Sequence, residues 1–383
     1  MKRNFYCGAT VLLCLFVTQI LAYNKPNQPT NKTAGTEKIL LVISSYGKDS
    51  GQIRPGYEFD EFSQAWLIFS KNGYEIDVAS PKGGSTEPDE FNKNKSYNAA
   101  VLSDKAAMNK LQHTIPTAMV DYKQYKAIYV VGGKGAMFDL PFDPSLQDIV
   151  YHMYHTQKTV IAAVCHGPAA FVNIRQTDTS YLLSGKSMTG FCNTEEKKFG
   201  KKWVAAFPFM LEDKLKARNV YFTNADMMLP HVVVDGKFIT GQNPYSTSLS
   251  AEAVVKALGK TPVQRNLYPD ENSMLLVKDC LINGFDKAVE TLRQNQSAYD
   301  IELIAVYGYY RLIDEKVDDK ETATALNIIA LATPYMFNEV LQFEMAKGYI
   351  RLKNPGKAKQ LLQELLEKKP SFEKARLLLE TIK

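Results

Sequence analysis

Between residues 37 and 260 the chain alternates between short apolar runs and longer amphipathic ones, and beyond that the alternation stops. The runs at 40–45 (LLVISS), 74–80 (YEIDVAS), 127–133 (AIYVVGG) and 159–164 (TVIAAV) are Val-, Ile- and Leu-rich and read as strands, most of them buried. Helical spacing is present over 59–71, where Phe62, Trp66 and Phe69 fall near one face, and over 104–112 and 145–157. Residues 85–103 are polar and read as a loop. After residue 164 come a short strand in SMTGF (187–191), a helical segment around 194–216, strands near 219–223 and 231–240, and a helix over 247–258. This pattern predicts an α/β fold, a doubly wound, mostly parallel sheet with helices on both faces. Ligands of such sheets sit beyond the carboxyl ends of the strands, where the turns after 45, 131 and 164 converge.

Residues 261–284 read as a linker with Pro262 and Pro269, and 285–383 as a different composition, rich in Leu, Ala, Lys and Glu, with no convincing strand. Helices are expected at 299–315, 320–332, 337–352, 356–368 and 371–382. GYYRLIDEK (308–316) and GYIRLKNPG (348–356) are similar strings 40 residues apart, each ending a helix. This resembles paired-helix repeats of the tetratricopeptide type, and predicts a C-terminal all-α domain. It serves either as a partner-binding or dimerising module or as a helical cap on the first domain.

Residues 1–22 carry a basic start (Lys2, Arg3), an apolar core and Ala22, the pattern of a cleaved signal peptide, so the chain is expected to be secreted or periplasmic. Residues 23–36 are polar, rich in Pro and Asn, and read as a disordered leader. The hydrophobic and charged fractions, 45% and 23%, are those of an ordinary globular protein. A net charge of +5 gives no case for a nucleic-acid or anionic-membrane partner. Of five cysteines, Cys7 and Cys14 leave with the signal, and Cys165, Cys192 and Cys280 form no disulfide framework.

A surviving thiol in an exported chain points to chemistry, and Cys165 is placed for it. The stretch TVIAAVCHGPAAF (159–171) reads as a buried strand, a tight turn and a helix start. Such a nucleophile elbow lifts the cysteine onto the positive end of a helix, where a thiolate is stabilised. Three other stretches converge on it: RPGYEFDEF (54–62), with Glu58, Asp60 and Glu61; the glycine turn GGKGAMFDL (132–140); and TGFCNTEE (189–196), with Glu195 and Glu196. The glycine turn lacks the spacing of a phosphate or dinucleotide loop but suits an oxyanion site. His152 and His155 share a helix face, yet two histidines without a Cys or acid partner read as surface residues rather than a zinc site.

Taken together, AVCHGPAAF, VVGGKGAMFDL, PGYEFDEF with VASPKGG, GKSMTGFCNTEE and HVVVDGKFITGQNPYS resemble the ThiJ/PfpI superfamily, in order across about residues 37–260. Within it they are similar to the class I glutamine amidotransferase-like branch that holds the glutathione-independent glyoxalases (glyoxalase III) and related holding chaperones. The resemblance implies Cys165 as nucleophile, His166 as its histidine, Glu61 beside the thiol, and Glu196, with Glu195 the near miss, orienting the histidine. It implies Gly132, Gly133 and the elbow's Gly167 at the substrate and oxyanion site, next to Lys134, which stands where the family has histidine. Phe138 stands where tryptophan is common. The implied reaction turns methylglyoxal-like dicarbonyls into 2-hydroxy acids, with His166 or Glu61 moving the proton and no cofactor or metal required. Two other readings are a holding chaperone gripping partners through its helical tail, and a cysteine hydrolase or amidase at the same thiol.

Overall fold

The structure is a computed structural model and describes residues 36–314 and 317–382. The expected signal peptide, 1–22, and the leader up to residue 35 lie outside the described residues. Its strands are β1 (Lys38–Val42), β2 (Glu75–Ser80), β3 (Ile115–Pro116), β4 (Tyr125–Val130), β5 (Val160–Val164), β6 (Ser187–Met188), β7 (Tyr221–Phe222), β8 (Val232–Asp235) and β9 (Phe238–Gly241). Through the first part of the chain run helices α1 (Phe59–Lys71), α2 (Ser96–Ser103), α3 (Lys105–Gln112), α4 (Pro144–His155), α5 (Asn193–Phe199), α6 (Leu211–Lys216) and α7 (Thr247–Ala257).

Seven strands form one sheet in the order β3-β2-β1-β4-β5-β9-β8, parallel throughout except where β8 turns back on β9. Side chains of a strand alternate between faces, and both faces here are apolar. Ile39 and Leu41 point into the layer holding Phe62 and Phe69 of α1 and Val254 of α7. Leu40 and Val42 point into the layer with Leu146, Val150 and Met153 of α4. Burial on both sides is why these strands read as continuous apolar runs.

Several segments depart from the pattern reading, among them the strand expected over 231–240, which is the antiparallel pair β8 and β9. Residues 96–103 of the expected loop form α2, buried through Tyr97, Asn98 and Val101. The segment around 194–216 is broken: α5 ends at Gly200, and a 3₁₀ turn (Lys201–Ala206) and Pro208 separate it from α6. The expected linker becomes helix α8 (Pro269–Asn283) from residue 269 onward. Pro269 opens it, and Glu271 reaches back to accept the Tyr268 amide at 2.9 Å. Arg265 then clamps Glu271 with two nitrogens, at 2.6 and 2.7 Å, and Glu252 of α7 at 2.8 Å.

The tail continues through α9 (Asp286–Asn295), α10 (Ile301–Leu312), α11 (Asp319–Ala332), α12 (Glu339–Arg351), α13 (Pro355–Lys368) and α14 (Glu373–Thr381). The recurring strings place a glycine at each tight crossing. A Cβ on Gly308 would come within 2.6 Å of Ile329 on α11, and one on Gly348 within 2.8 Å of Leu312 on α10. Met228 and Leu229 of the α/β part share a core with Met274, Val277, Ile304 and Tyr307 of the tail. The two parts form one compact unit.

Candidate functional site

Strand β5 leads into Cys165, whose φ of +59° is left-handed backbone in a non-glycine residue. The elbow is held by its amide, which donates to the Gly241 carbonyl at 2.9 Å, and by its carbonyl, which accepts from Phe191 N–H at 2.8 Å. Gly132 makes room for it: a Cβ there would meet the Val164 carbonyl at 2.7 Å and Cys165 Cβ at 2.8 Å. Beyond His166 the chain enters a 3₁₀ turn, Gly167–Phe171, rather than an α-helix. The helix end expected to stabilise the thiolate is therefore too short to carry that role.

Stabilising groups come from elsewhere. His166 Nδ1 lies 3.4 Å from Cys165 Sγ, and His166 Nε2 lies 2.8 Å from Glu196 Oε2. A carboxylate accepts only, so Nε2 carries the proton and Nδ1 offers its lone pair to the sulfur. Both His166 and Glu196 are buried. Glu195, one residue away, serves another purpose. Its Oε1 accepts from the Met228 amide and Asn243 Nδ2, both at 2.8 Å, and its Oε2 from Gln242 Nε2 at 2.9 Å. The choice between the two glutamates is thus one of helical phase: 196 faces the histidine, and 195 ties α5 to the β9 side.

Glu61, one turn into α1, accepts the Gly132 amide on Oε2 at 2.6 Å, while its Oε1 is buried without a hydrogen-bond partner against the Cys165 thiol. Burial first, then the Glu58 charge, hold Glu61 well above the usual carboxylate range, which favours its protonated form. Burial also pushes the Cys165 thiol up, followed by the Glu61 charge. That second push vanishes while Glu61 is protonated, and the Gly133 amide near the sulfur pulls the other way. Glu58 itself, half-buried at the mouth, is raised to about 7 by burial and by Asp60, against the pull of Lys134.

A cavity of about 360 Å³ opens over this group, lined on the near side by Cys165, His166, Gly133, Lys134 and Glu58. Of the four expected substrate and oxyanion positions, Gly133 and Lys134 line it. Gly132 does not, and its amide is committed to Glu61. Gly167 is absent from the lining as well, because it packs against the backbone of β4, where a Cβ would strike the Val130 carbonyl. Glu61 sits behind the sulfur rather than on the cavity wall. The sequence pattern did not reveal the far wall, where Val306 and Tyr310 come from the tail. Their signal was present in the Gly-Tyr-Tyr string, but nothing in the pattern said what that face meets.

The two helix histidines are otherwise engaged: His152 stacks on Tyr122 with centroids 4.9 Å apart, and His155 bonds Gln176 at 3.0 Å. Among the described residues no group of three or more His, Cys, Asp and Glu side chains is placed to hold a metal. Cys192 and Cys280 are buried free thiols.

Residues 38–257 match the model of the DJ-1/PfpI family. A glutathione-independent glyoxalase of Schizosaccharomyces pombe is 30% identical over 246 residues, which are 58% of this chain and 96% of that protein. Glyoxalase 3 of Candida albicans is 30% identical over 241 residues, 57% of this chain and 98% of that protein. Among solved structures, glyoxalase III of Candida albicans superposes with a TM-score of 0.53 at 25% identity, covering 58% of this chain and 97% of the other. The rapid encystment protein of Francisella tularensis superposes at 0.55 with 29% identity, over 59% of this chain and all of the other.

Proposed function

The chain belongs to the DJ-1/PfpI family, and on that premise we propose that it is a glutathione-independent glyoxalase-like enzyme that converts small 2-oxoaldehydes to 2-hydroxy acids through Cys165. The observation that carries this reading is the line Cys165–His166–Glu196, at 3.4 and 2.8 Å, opening on a cavity of about 360 Å³, with the buried Glu61 beside it. Relatives named glutathione-independent glyoxalase and glyoxalase 3, spanned almost end to end by the matched region, support it.

The geometry supplies each proton transfer. Sulfur attacks the aldehyde carbon, and the thiol proton passes through His166 Nδ1 to the carbonyl oxygen, giving a hemithioacetal. Nδ1 then removes the proton from that carbon. The electron pair forms the carbon–carbon double bond of an enediol, and the hydroxyl proton passes to the neighbouring oxygen. Return of the proton from Nδ1 to the second carbon leaves a 2-hydroxyacyl thioester, which water hydrolyses to the acid and the free thiol. Throughout, Glu196 balances the imidazolium charge, and to protonated Glu61, whose Oε1 has no other partner, this reading assigns the role of donor to the sulfur. The Gly133 amide, which favours the thiolate, has the second donor's role in this reading.

The test is conversion of methylglyoxal to lactate without glutathione. Turnover by the wild type that disappears in Cys165→Ala supports the reading, and its absence in the wild type, or its survival in the variant, sinks it. Export, which rests on residues 1–22, is part of the same proposal, checked by the N-terminal sequence and cell fraction of the mature protein.

A further inference from the structure

The helical tail reaches the reacting thiol's own cavity. Val306 and Tyr310, one turn apart on α10, project from the same helix face and line it together with Cys165 and His166. With Phe199, Met228 and Tyr245 they make an apolar and aromatic part of a lining whose polar part includes Glu58, Lys134 and Lys201. The wall is braced. The rings of Phe199 and Tyr310 meet edge-on with centroids 4.8 Å apart. Lys198 donates to the Tyr310 carbonyl at 3.2 Å and pairs with Asp314 at 3.0 Å. The next residues along α10 from each, Tyr307 and Arg311, both bond Asp226 of the α/β part. Phe199 also sits on α5, the helix that carries Glu196, so the wall and the catalytic line share one element.

Two further observations decide what this wall is for. At about 360 Å³ the cavity lies within the ~300–1,000 Å³ typical of pockets for drug-sized ligands, far more than a methyl-substituted dicarbonyl fills. The family match ends at residue 257, well before α10, so Val306 and Tyr310 belong to the part of the chain outside it. We infer that the substrate of this chain is a 2-oxoaldehyde bearing an aromatic or branched apolar substituent, and that Val306 and Tyr310 of the helical extension select for it. The inference rests on the proposed glyoxalase-like reading for the reacting end of the substrate. The aldehyde carbon lies at Cys165 Sγ, and the substituent points away from the polar mouth toward the Tyr310 ring, where it is held by dispersion and by expelled water.

The experiment compares phenylglyoxal with methylglyoxal on the full chain, and the binding of the products mandelate and lactate by calorimetry. The wild type is expected to favour phenylglyoxal in kcat/KM by about tenfold or more, and mandelate over lactate in affinity. Tyr310→Ala is expected to lower both ratios by about tenfold, and Val306→Phe, which fills the cavity, to lower them as well. Thermal melts of the two variants identify any loss of fold, and opposite volume changes acting in one direction on selectivity would not arise from unfolding. If the ratios are the same in the wild type and both variants, the tail does not select substrate, and the inference is overturned while Cys165-dependent turnover still stands. If no dicarbonyl is turned over, the glyoxalase-like reading falls, and the product-binding ratios alone decide the role of the wall: a mandelate preference lost in Tyr310→Ala upholds it, and equal binding removes it.

Discussion

His166 Nε2 and Glu196 Oε2 lie 2.8 Å apart with both side chains buried, and the contact selects the one ring tautomer that can take a proton from Cys165. Glu196→Gln keeps the shape but lets an amide N–H face the ring, which turns the lone pair away from the sulfur. A fall in kcat of roughly 10²–10³-fold with little change in KM is expected, in the range of general-base effects. Glu195→Gln is the control. It disrupts buried hydrogen bonds to the Met228 amide, Asn243 and Gln242, so its main effect is a loss of about 1–3 kcal/mol in thermal or urea unfolding. Equal catalytic losses in the two variants with unchanged unfolding would contradict this division of labour.

The proposed reaction gives Glu61 the role of a neutral donor to the sulfur, and its replacement separates donor from charge. Glu61→Leu removes the Oε1 hydrogen and strands the Gly132 amide, whereas Glu61→Gln keeps an N–H that can point at the thiol. A hydrogen bond to a charged partner contributes about 1.5–3 kcal/mol, so alkylation of Cys165 by iodoacetamide at pH 7 should slow about 10- to 100-fold in the leucine variant. The glutamine variant should lie between that and the wild type. Faster alkylation in Glu61→Leu would mean that the glutamate is ionised and repels the thiolate.

Raised carboxyls at the site set the direction of the stability–pH curve. Glu58 moves from the usual range to about 7 in the folded chain, and Glu61 is raised well above it. For a group whose folded value lies above its unfolded one, the contribution is complete below the unfolded value, ~4.5, and is lost as pH rises through the folded one. Wild-type stability is therefore expected to decline between about pH 5 and 7. Glu58→Gln should flatten that part of the curve by on the order of 1–2 kcal/mol, a figure reduced for the half-buried position of the side chain. Urea unfolding at pH 5 and pH 8 reads the difference, and parallel curves for the two proteins would refute it.

Much of this arrangement was legible in the sequence because it obeys local rules. The continuous apolar strands, the glycine turn at 132–133 and the elbow at Cys165 each declare themselves within a few residues, and the sheet topology then converges them. The hidden parts are non-local or depend on a fraction of a helical turn. Residues 196 and 195 are chemically alike and differ only in which way α5 turns them. The Gly132 amide looked free for an oxyanion because its partner, Glu61, lies 71 residues away. Helix α2 escaped because polar anchors help to bury it: Asn98 donates to Asp60 and to the Asn92 carbonyl. The cavity's far wall needed the tail's docking, which no periodicity encodes.

That docking has a polar anchor at α1, the helix that carries Glu61, and it yields the last prediction. Tyr97 of α2 is fully buried, and its hydroxyl lies 2.6 Å from Asp270 of α8 and 3.1 Å from Asp60 of α1, with Lys95 Nζ 2.6 Å from Asp60. Burial holds Asp270 above the usual carboxylate range, against the pull of the Lys95 charge and the Tyr97 hydrogen bond. Tyr97→Phe leaves the ring packing almost intact but strips the hydrogen bond from a carboxylate that is itself buried. A loss of about 1–3 kcal/mol in unfolding free energy is expected. Because Asp60 is the residue before Glu61, the same variant should also shift the pH dependence of Cys165 alkylation. Tyr97→Phe with Asp270→Asn removes the stranded charge together with its donor, and should recover most of the lost stability. A double variant no more stable than Tyr97→Phe would show that the hydroxyl does not act through Asp270.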